Sequence, residues 1–321
     1  MSTSGTISVA SIQARKPLYG AIEGGGTKFV CAIAESPDRI LDRVAVPTAD
    51  PRATLAECAS FFVAAEKAHG PIAAFGFGCF GPIELSPDAS NFGRLLATPK
   101  PGWSGADVLA PLRSAFAAPI ALDTDVGAAA LAEWRLGAGR GAGSLAYVTV
   151  GTGIGGAVTP QDRTRRRLMH AELGHLPAVR DPRDAGFAGV CPFHGSCIEG
   201  LASGPAIRAR WGTDLEALPA DHPGHYIVAG YLGQLAASIA LVESVERIVF
   251  GGGVMSNGAL LPLVSAAMLE YLNGYLAPLR DAERAASYLR APALGQDSGL
   301  VGAILLAMQA RRELVPANAA R

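Results

Sequence analysis

AIEGGGTKFVCAI, residues Ala21 to Ile33, and VTVGTGIGGAV, residues Val148 to Val158, are two versions of one pattern. Each is an apolar run, a glycine-rich turn and a second β-forming run. Glycine lets a turn present bare backbone amides with no side chain in the way, and a concave row of N–H groups suits phosphate oxygens. Gly25, Gly26, Thr27 and Lys28 belong to the first such cradle, and Gly151, Thr152, Gly153 and Gly155 to the second. A third cluster, Gly251 to Gly253, follows the buried run IVF and would let an adenine or ribose approach the backbone. Two strand–turn–strand units in one chain read as an α/β protein with two layered, duplicated halves. Two alternatives fail. Gly151, Gly153 and Gly156 fit G-x-G-x-x-G, but a dinucleotide fold needs a helix directly after that turn, and GGAVTP is β-like. No G-x4-G-K-[ST] P-loop occurs.

Working outward, order is expected from Leu18, with residues 1–17 and 313–321 as tails. RILDRVAVPT reads as a third strand, residues 52–68 as a helix by apolar spacing, and IAAFGFGCFGPI as a buried strand running into a turn that contains Gly81. PIALDTD is a strand delivering Asp123 and Asp125 to the start of the helix AAALAEWRLGAG, closed by glycine. Asp125 is the candidate general base, Asp123 its competitor, and an ordinary helix-cap aspartate the plain alternative. Downstream, GHYIVAGYLGQLAASIALVES, ALLPLVSAAMLEYLNGYL and SGLVGAILLAMQARRE read as helices, the second with Ser256 or Asn257 as its cap. The run Arg165 to Arg167 reads as a solvated loop.

Between the second cradle and these helices lies HAELGHLPAVRDPRDAGFAGVCPFHGSCIEGLASG, residues His170 to Gly204. Cys191, His194 and Cys197 form C-x2-H-x2-C, and His175 completes four ligands of the types zinc prefers. A closed four-ligand site is structural, so its metal would be part of the folding free energy. Glu172 and Glu199 flank the pinned loop. A carboxylate pair raises glycoside hydrolysis, but the phosphate-type hairpins favour carboxylates that accept hydrogen bonds from sugar hydroxyls.

Composition narrows the classes. A chain of 321 residues that is 50% hydrophobic can bury a large core, and its length suggests two domains. A formal net charge of −1 gives no electrostatic footprint for nucleic acid. Five cysteines do not suggest a disulfide framework, and Cys31, Cys58 and Cys79 sit in apolar segments as core residues. The first residues lack the apolar core of a secretory signal, and no apolar run free of glycine or charge reaches membrane-spanning length. A cytoplasmic protein with no membrane partner is the expectation.

With these residues in place the chain resembles the ROK family of sugar kinases from about Tyr19 to Met308. EGGGTK and VTVGTGIGGAV look like the family's two phosphate hairpins, and IVFGGGV like its adenosine-side turn. DTDVGAAALAE is similar to its E-N-D-A-N-A-A-A-L-A-E segment, which puts the catalytic aspartate on Asp125. The E-x-G-H motif in HAELGH and the C-x-E-x3-S-G motif in CIEGLASG carry sugar contacts to Glu172, His175 and Glu199, with Gly81 beside them. CPFHGSC, TPKPGW and GCFGPIEL resemble the bacterial fructokinase branch. Glu23 stands where many members have Asp, and Gly127 where many have Asn.

The resemblance implies a two-domain actin-like ATPase (ribonuclease H-like) fold with a cleft between the domains. The smaller domain would comprise residues 18–122 plus about 298–312, and the larger one 123–297. It further implies ATP and Mg2+ as co-substrates, structural Zn2+ on His175, Cys191, His194 and Cys197, D-fructose as acceptor and a homodimer. The rivals are a kinase for glucose, mannose or an N-acetylhexosamine, a non-catalytic zinc-dependent binding module, and a sugar-sensing repressor. The last is disfavoured because only a short tail precedes the first strand, where such relatives carry a helix-turn-helix.

Overall fold

The computed structural model describes residues 16–161, 168–256 and 258–314; Arg165–Arg167, Asn257 and most of both expected tails lie outside them. The first half contains β1 (Leu18–Gly24), β2 (Lys28–Ser36), β3 (Arg39–Pro47), α1 (Pro51–His69), β4 (Ile72–Cys79), α2 (Ala110–Ala115) and β5 (Ile120–Thr124). Its sheet has the order β3-β2-β1-β4-β5. The β1–β2 and β2–β3 pairs are antiparallel, and β1–β4 and β4–β5 are parallel. Helix α1 starts where Asp50 accepts the Ala53 amide and Pro51 presets the first turn. Its Leu55, Cys58, Phe62 and Ala65 form one buried stripe.

The second half contains α3 (Asp125–Arg135), β6 (Leu145–Val150), β7 (Ile154–Thr159), α4 (Ile198–Ala202), α5 (Gly204–Trp211), α6 (Gly224–Val242), β8 (Arg247–Gly251), α7 (Leu260–Leu272), α8 (Ala282–Tyr288), β9 (Leu289–Arg290) and α9 (Ser298–Leu314). Its sheet runs β7-β6-β8-β9, with β6–β7 antiparallel and β6–β8 and β8–β9 parallel. This is the first sheet's order without its outermost strand, as a duplicated unit requires.

Each sheet has its own core. The chain joins them through two small-residue helices. Val126, Ala129 and Ala130 of α3 pack on Leu145, Tyr147 and Val249 of the second sheet. Leu300, Ala303 and Ile304 of α9 pack on Ala21, Val30 and Ala32 of the first. The two helices touch backbone to backbone, since a Cβ at Gly302 would collide with the Ala128 carbonyl, and α9 lies as close on β4, where a Cβ at Gly76 would collide with the Ala303 carbonyl.

One alternative drops out and two local expectations are corrected. Asp125 is the first residue of α3 rather than its cap, because Thr124 takes the cap and accepts the Gly127 amide at 2.9 Å. Helix α3 ends at Arg135, with Leu136 as its C-cap, before the glycines. Helix α7 starts at Leu260 behind Ala259, because the Ser256 hydroxyl instead donates to the Gly253 carbonyl at 2.8 Å. Helix α6 is long and apolar enough to cross a membrane, yet 61% of that window is buried and its Ile227, Leu232, Leu235 and Ile239 lie in the core.

Candidate active site

The β1–β2 and β6–β7 turns are tight hairpins, closed by the Gly25 amide on the Lys28 carbonyl and the Gly151 amide on the Gly153 carbonyl, both 2.9 Å. Their tips face each other: a Cβ on Gly26 would lie 3.8 Å from Thr152 Oγ1. Beside them is a cavity of about 430 Å³ whose lining includes Gly26, Thr27, Gly151, Thr152 and Gly253. The other candidate nucleotide residues stand outside that lining. Gly251 packs under the Tyr147 hydroxyl, and Gly252, at φ 90°, abuts the Val150 backbone. Gly153 faces the Glu199 carboxylate, Gly155 packs on Val126, and Lys28 is exposed at the base of its hairpin. From there the Lys28 charge tempers the carboxyl of Glu23.

Three carboxyl groups with raised pKa values share the cleft. Burial lifts Asp125 to about 6 against the pull of the Val126 amide, which donates to its Oδ1 at 2.9 Å. Burial first, then the charge of Asp125, lifts Glu23 to about 7. Burial first, then Glu199 and Asp125, lifts Glu172 to about 7. Such a cluster makes this cleft a functional-site candidate, because burying like charges beside one another is costly without a compensating ligand. Glu199 is oriented by the Ile154 amide, which donates to its Oε2 at 2.8 Å. Asp123, the competitor base, instead turns its carboxyl over Gly127, into the space a side chain there would need, and accepts the Thr124 amide at 2.7 Å. Gly127 is therefore matched to Asp123.

His175, Cys191, His194 and Cys197 converge, with one donor atom from each lying within 4.8 Å of the others. Both cysteine sulfurs are 3.6 Å from His175 Nδ1, and Cys191 Sγ is 3.7 Å from His194 Nδ1. A zinc tetrahedron with bonds of 2.0–2.3 Å has edges of about 3.6 Å, so the donor set fits the ion. The other His175 nitrogen, Nε2, lies 3.9 Å from Glu199 Oε1. His175 thus lies between the four-donor cluster and the Glu199 carboxylate.

Several further residues at or around the cleft were not among the sequence candidates. His170 Nε2 accepts the Ile83 amide at 3.1 Å, and its ring closes on Gly81, so it ties the Gly81 turn to the Glu172 loop. Lys100 donates to the Gly26 carbonyl. Glu133 on α3, fully buried, accepts the Ala138, Ala293 and Leu294 amides and the Ser298 hydroxyl at 2.7–3.0 Å, fastening the loop before α9. Buried Asp184 accepts the Tyr231 hydroxyl at 2.8 Å and lies 2.9 Å from Arg210 Nε, which anchors the far end of the cysteine loop to α5 and α6. The TPKPGW motif and the first histidine of HAELGH were visible clues for Lys100 and His170.

The ROK family model matches residues 19–310. A fructokinase of Zymomonas mobilis is 42% identical over 301 residues, covering 93% of this chain and 99% of that protein. A fructokinase of Pediococcus pentosaceus is 37% identical, covering 91% and 98%. The crystal structure of a ROK hexokinase from Thermus thermophilus superposes with a TM-score of 0.70 at 29% identity, covering 92% of this chain and 99% of that one. The fold is therefore the two-domain actin-like ATPase (ribonuclease H-like) α/β fold with a cleft between its halves. With residues 19–310 matched, the chain belongs to the ROK family.

Proposed function

We propose that this protein is a sugar kinase that transfers the terminal phosphoryl group of ATP to the 6-hydroxyl of D-fructose, giving fructose 6-phosphate. The observation that carries the kinase reading is the pair of glycine hairpins meeting tip to tip beside a buried carboxyl at a helix start. Fructose as acceptor rests on the similarity to the two fructokinases.

Phosphoryl transfer needs positioning and charge neutralisation more than covalent chemistry. Amides of the Gly25–Thr27 and Gly151–Gly153 turns, helped by Thr27, Lys28 and Thr152, would hold the phosphates, with Gly253 at the nucleoside end. Asp125 accepts the hydroxyl proton; its pKa of about 6 leaves it ionised at neutral pH and basic enough for that task. Gly81, Glu172, His175 and Glu199 would receive the sugar. Glu199 is held by Ile154 and stands next to His175, so its geometry exists before substrate arrives. Magnesium would come with ATP and lean on its phosphates; Glu23, whose carboxyl lacks a compensating cation strong enough to lower its pKa, fits as the protein's contribution. Zinc on His175, Cys191, His194 and Cys197 would be structural. We also propose that residues 18–122 with 298–312 move against 123–297 about the α3–α9 joint, closing on the sugar and excluding water. A cytoplasmic homodimer completes the reading. The kinase and its acceptor are tested by ADP release with ATP, magnesium and a panel of hexoses; release without preference for fructose would overturn the acceptor assignment.

A further inference from the structure

The first phosphate hairpin is braced from behind. Lys100, half-buried, donates from Nζ to the carbonyl of Gly26, a residue 74 positions away at the hairpin tip. The loop that carries it is packed into the core through Trp103. Trp103 is fully buried, stacks on Phe29 at 5.4 Å and donates from Nε1 to the Ala49 carbonyl at 2.9 Å. Phe29 is the second residue of β2, directly beyond the hairpin, so one aromatic stack positions both the turn and the lysine loop.

An ammonium spends its charge on a backbone carbonyl here, and the geometry of the peptide says what that accomplishes. The Gly26–Thr27 bond is trans, so its C=O and N–H point in opposite directions. Gly26 and Thr27 both line the cavity of about 430 Å³, and Lys100 does not. Holding the carbonyl on the Lys100 side therefore turns the Thr27 N–H to the cavity side. A charged donor on the carbonyl also polarises the peptide, which strengthens the N–H as a donor. We infer that Lys100 is a positioning residue for phosphoryl transfer: it aims and sharpens the Thr27 amide at the phosphate group that departs from ATP. The inference rests on the kinase reading above and adds to it a residue outside both hairpins.

The test is Lys100→Met, which keeps the stem and removes the charge, with Lys100→Arg as the conservative partner. Both are compared with the parent in steady-state turnover on fructose and in calorimetric binding of a non-hydrolysable Mg–ATP analogue. Loss of one preorganised donor to a developing anion costs about 10²-fold in kcat. Lys100→Met should show about that loss, an unchanged fructose KM, an unchanged thermal midpoint and weaker analogue binding, and Lys100→Arg should recover most of the turnover. A Lys100→Met protein with parental kcat and analogue affinity overturns the inference and leaves the kinase reading intact. So does a variant whose deficit disappears whenever its fold is stabilised, because the lysine then only secures the loop. A parent that binds the analogue but turns over no hexose removes the fructose assignment alone, and analogue binding still decides Lys100. A parent that binds no nucleotide overturns both.

Discussion

Replacing Asp125 by asparagine separates what the residue does for chemistry from what it costs the fold. Its carboxyl is lifted from an ordinary value of 3.8 to about 6 by burial. That difference corresponds to about 3 kcal/mol between the protonation states. The sign follows from proton linkage: between pH 3.8 and about 6 the folded chain binds the proton that the unfolded chain has released. The protonated side chain is therefore tolerated at low pH, and stability is lost as pH rises toward about 6 and stays lost above it. The amide of the substituted side chain carries no charge to desolvate. Asp125→Asn should be more stable than the parent by about 1–3 kcal/mol at pH 7.5, with the gain falling to about half at pH 5. Its turnover should drop by about 10²–10⁴-fold, the contribution of a general base. Urea unfolding at the two pH values and ADP release at pH 7.5 measure both. A variant with near-parental turnover would move the base elsewhere. A variant destabilised at pH 7.5 would refute the account of a carboxylate held at a cost. In the parent, kcat/KM should rise with pH through about 6, and a profile flat from pH 5 to 8 would contradict the pKa assigned to this group in the free protein.

Other perturbations have equally definite outcomes. Zinc should be found at one ion per chain by elemental analysis, and Cys191→Ser or Cys197→Ser should lower both the thermal midpoint and activity; a metal-free protein of parental stability contradicts the structural ion. After chelation, hydrogen exchange should rise around 189–199 and much less around Asp184, because Tyr231 and Arg210 hold that end independently. Glu133→Ala strands three backbone amides, while the Ser298 hydroxyl keeps the Gly295 carbonyl, a loss of about 3–9 kcal/mol at roughly 1–3 kcal/mol for each buried group left unpaired; a change below 1 kcal/mol in urea unfolding would show that water replaces the carboxylate. Glu172→Gln should raise the fructose KM by about 10–10²-fold, the worth of a hydrogen bond to a charged group, with the ATP KM unchanged; equal effects on both would place Glu172 outside the sugar site.

What was legible in the chain was whatever physics writes locally. Two glycine turns between β-forming runs become hairpins because the required backbone freedom and the strand pairing are both short-range. The convergence of His175, Cys191, His194 and Cys197 was readable because C-x2-H-x2-C confines three of them to seven residues. The Asp125 helix start was readable from a strand running into an alanine-rich run, but its cap was not: Thr124 and Asp125 are both competent caps, and in the structure Thr124 takes the role while the Asp125 carboxyl accepts the Val126 amide. Long-range contacts left no local mark. Lys100 reaches Gly26 across 74 residues and Glu133 reaches Leu294 across 161, so neither spacing nor periodicity could pair them. Gly251 and Gly252 show the converse. Their glycine character was legible, but its cause is close packing against Tyr147 and Val150, while Gly253 alone of the three lines the cavity. The meeting of α3 and α9 through Gly302 and Ala128 was equally hidden, since it depends on how two sheets are spaced.

The central claim is ATP-dependent phosphorylation of fructose, and its most direct measurement is ADP release by the purified, zinc-loaded protein with magnesium and ATP. Fructose, glucose, mannose, N-acetylglucosamine and N-acetylmannosamine are offered in turn, and the product is identified by mass and by the position of its phosphate. The expected result is strong preference for fructose with phosphate on the 6-hydroxyl, abolished in Asp125→Asn. Folded, metal-bound protein that releases no ADP with any of these sugars would contradict it.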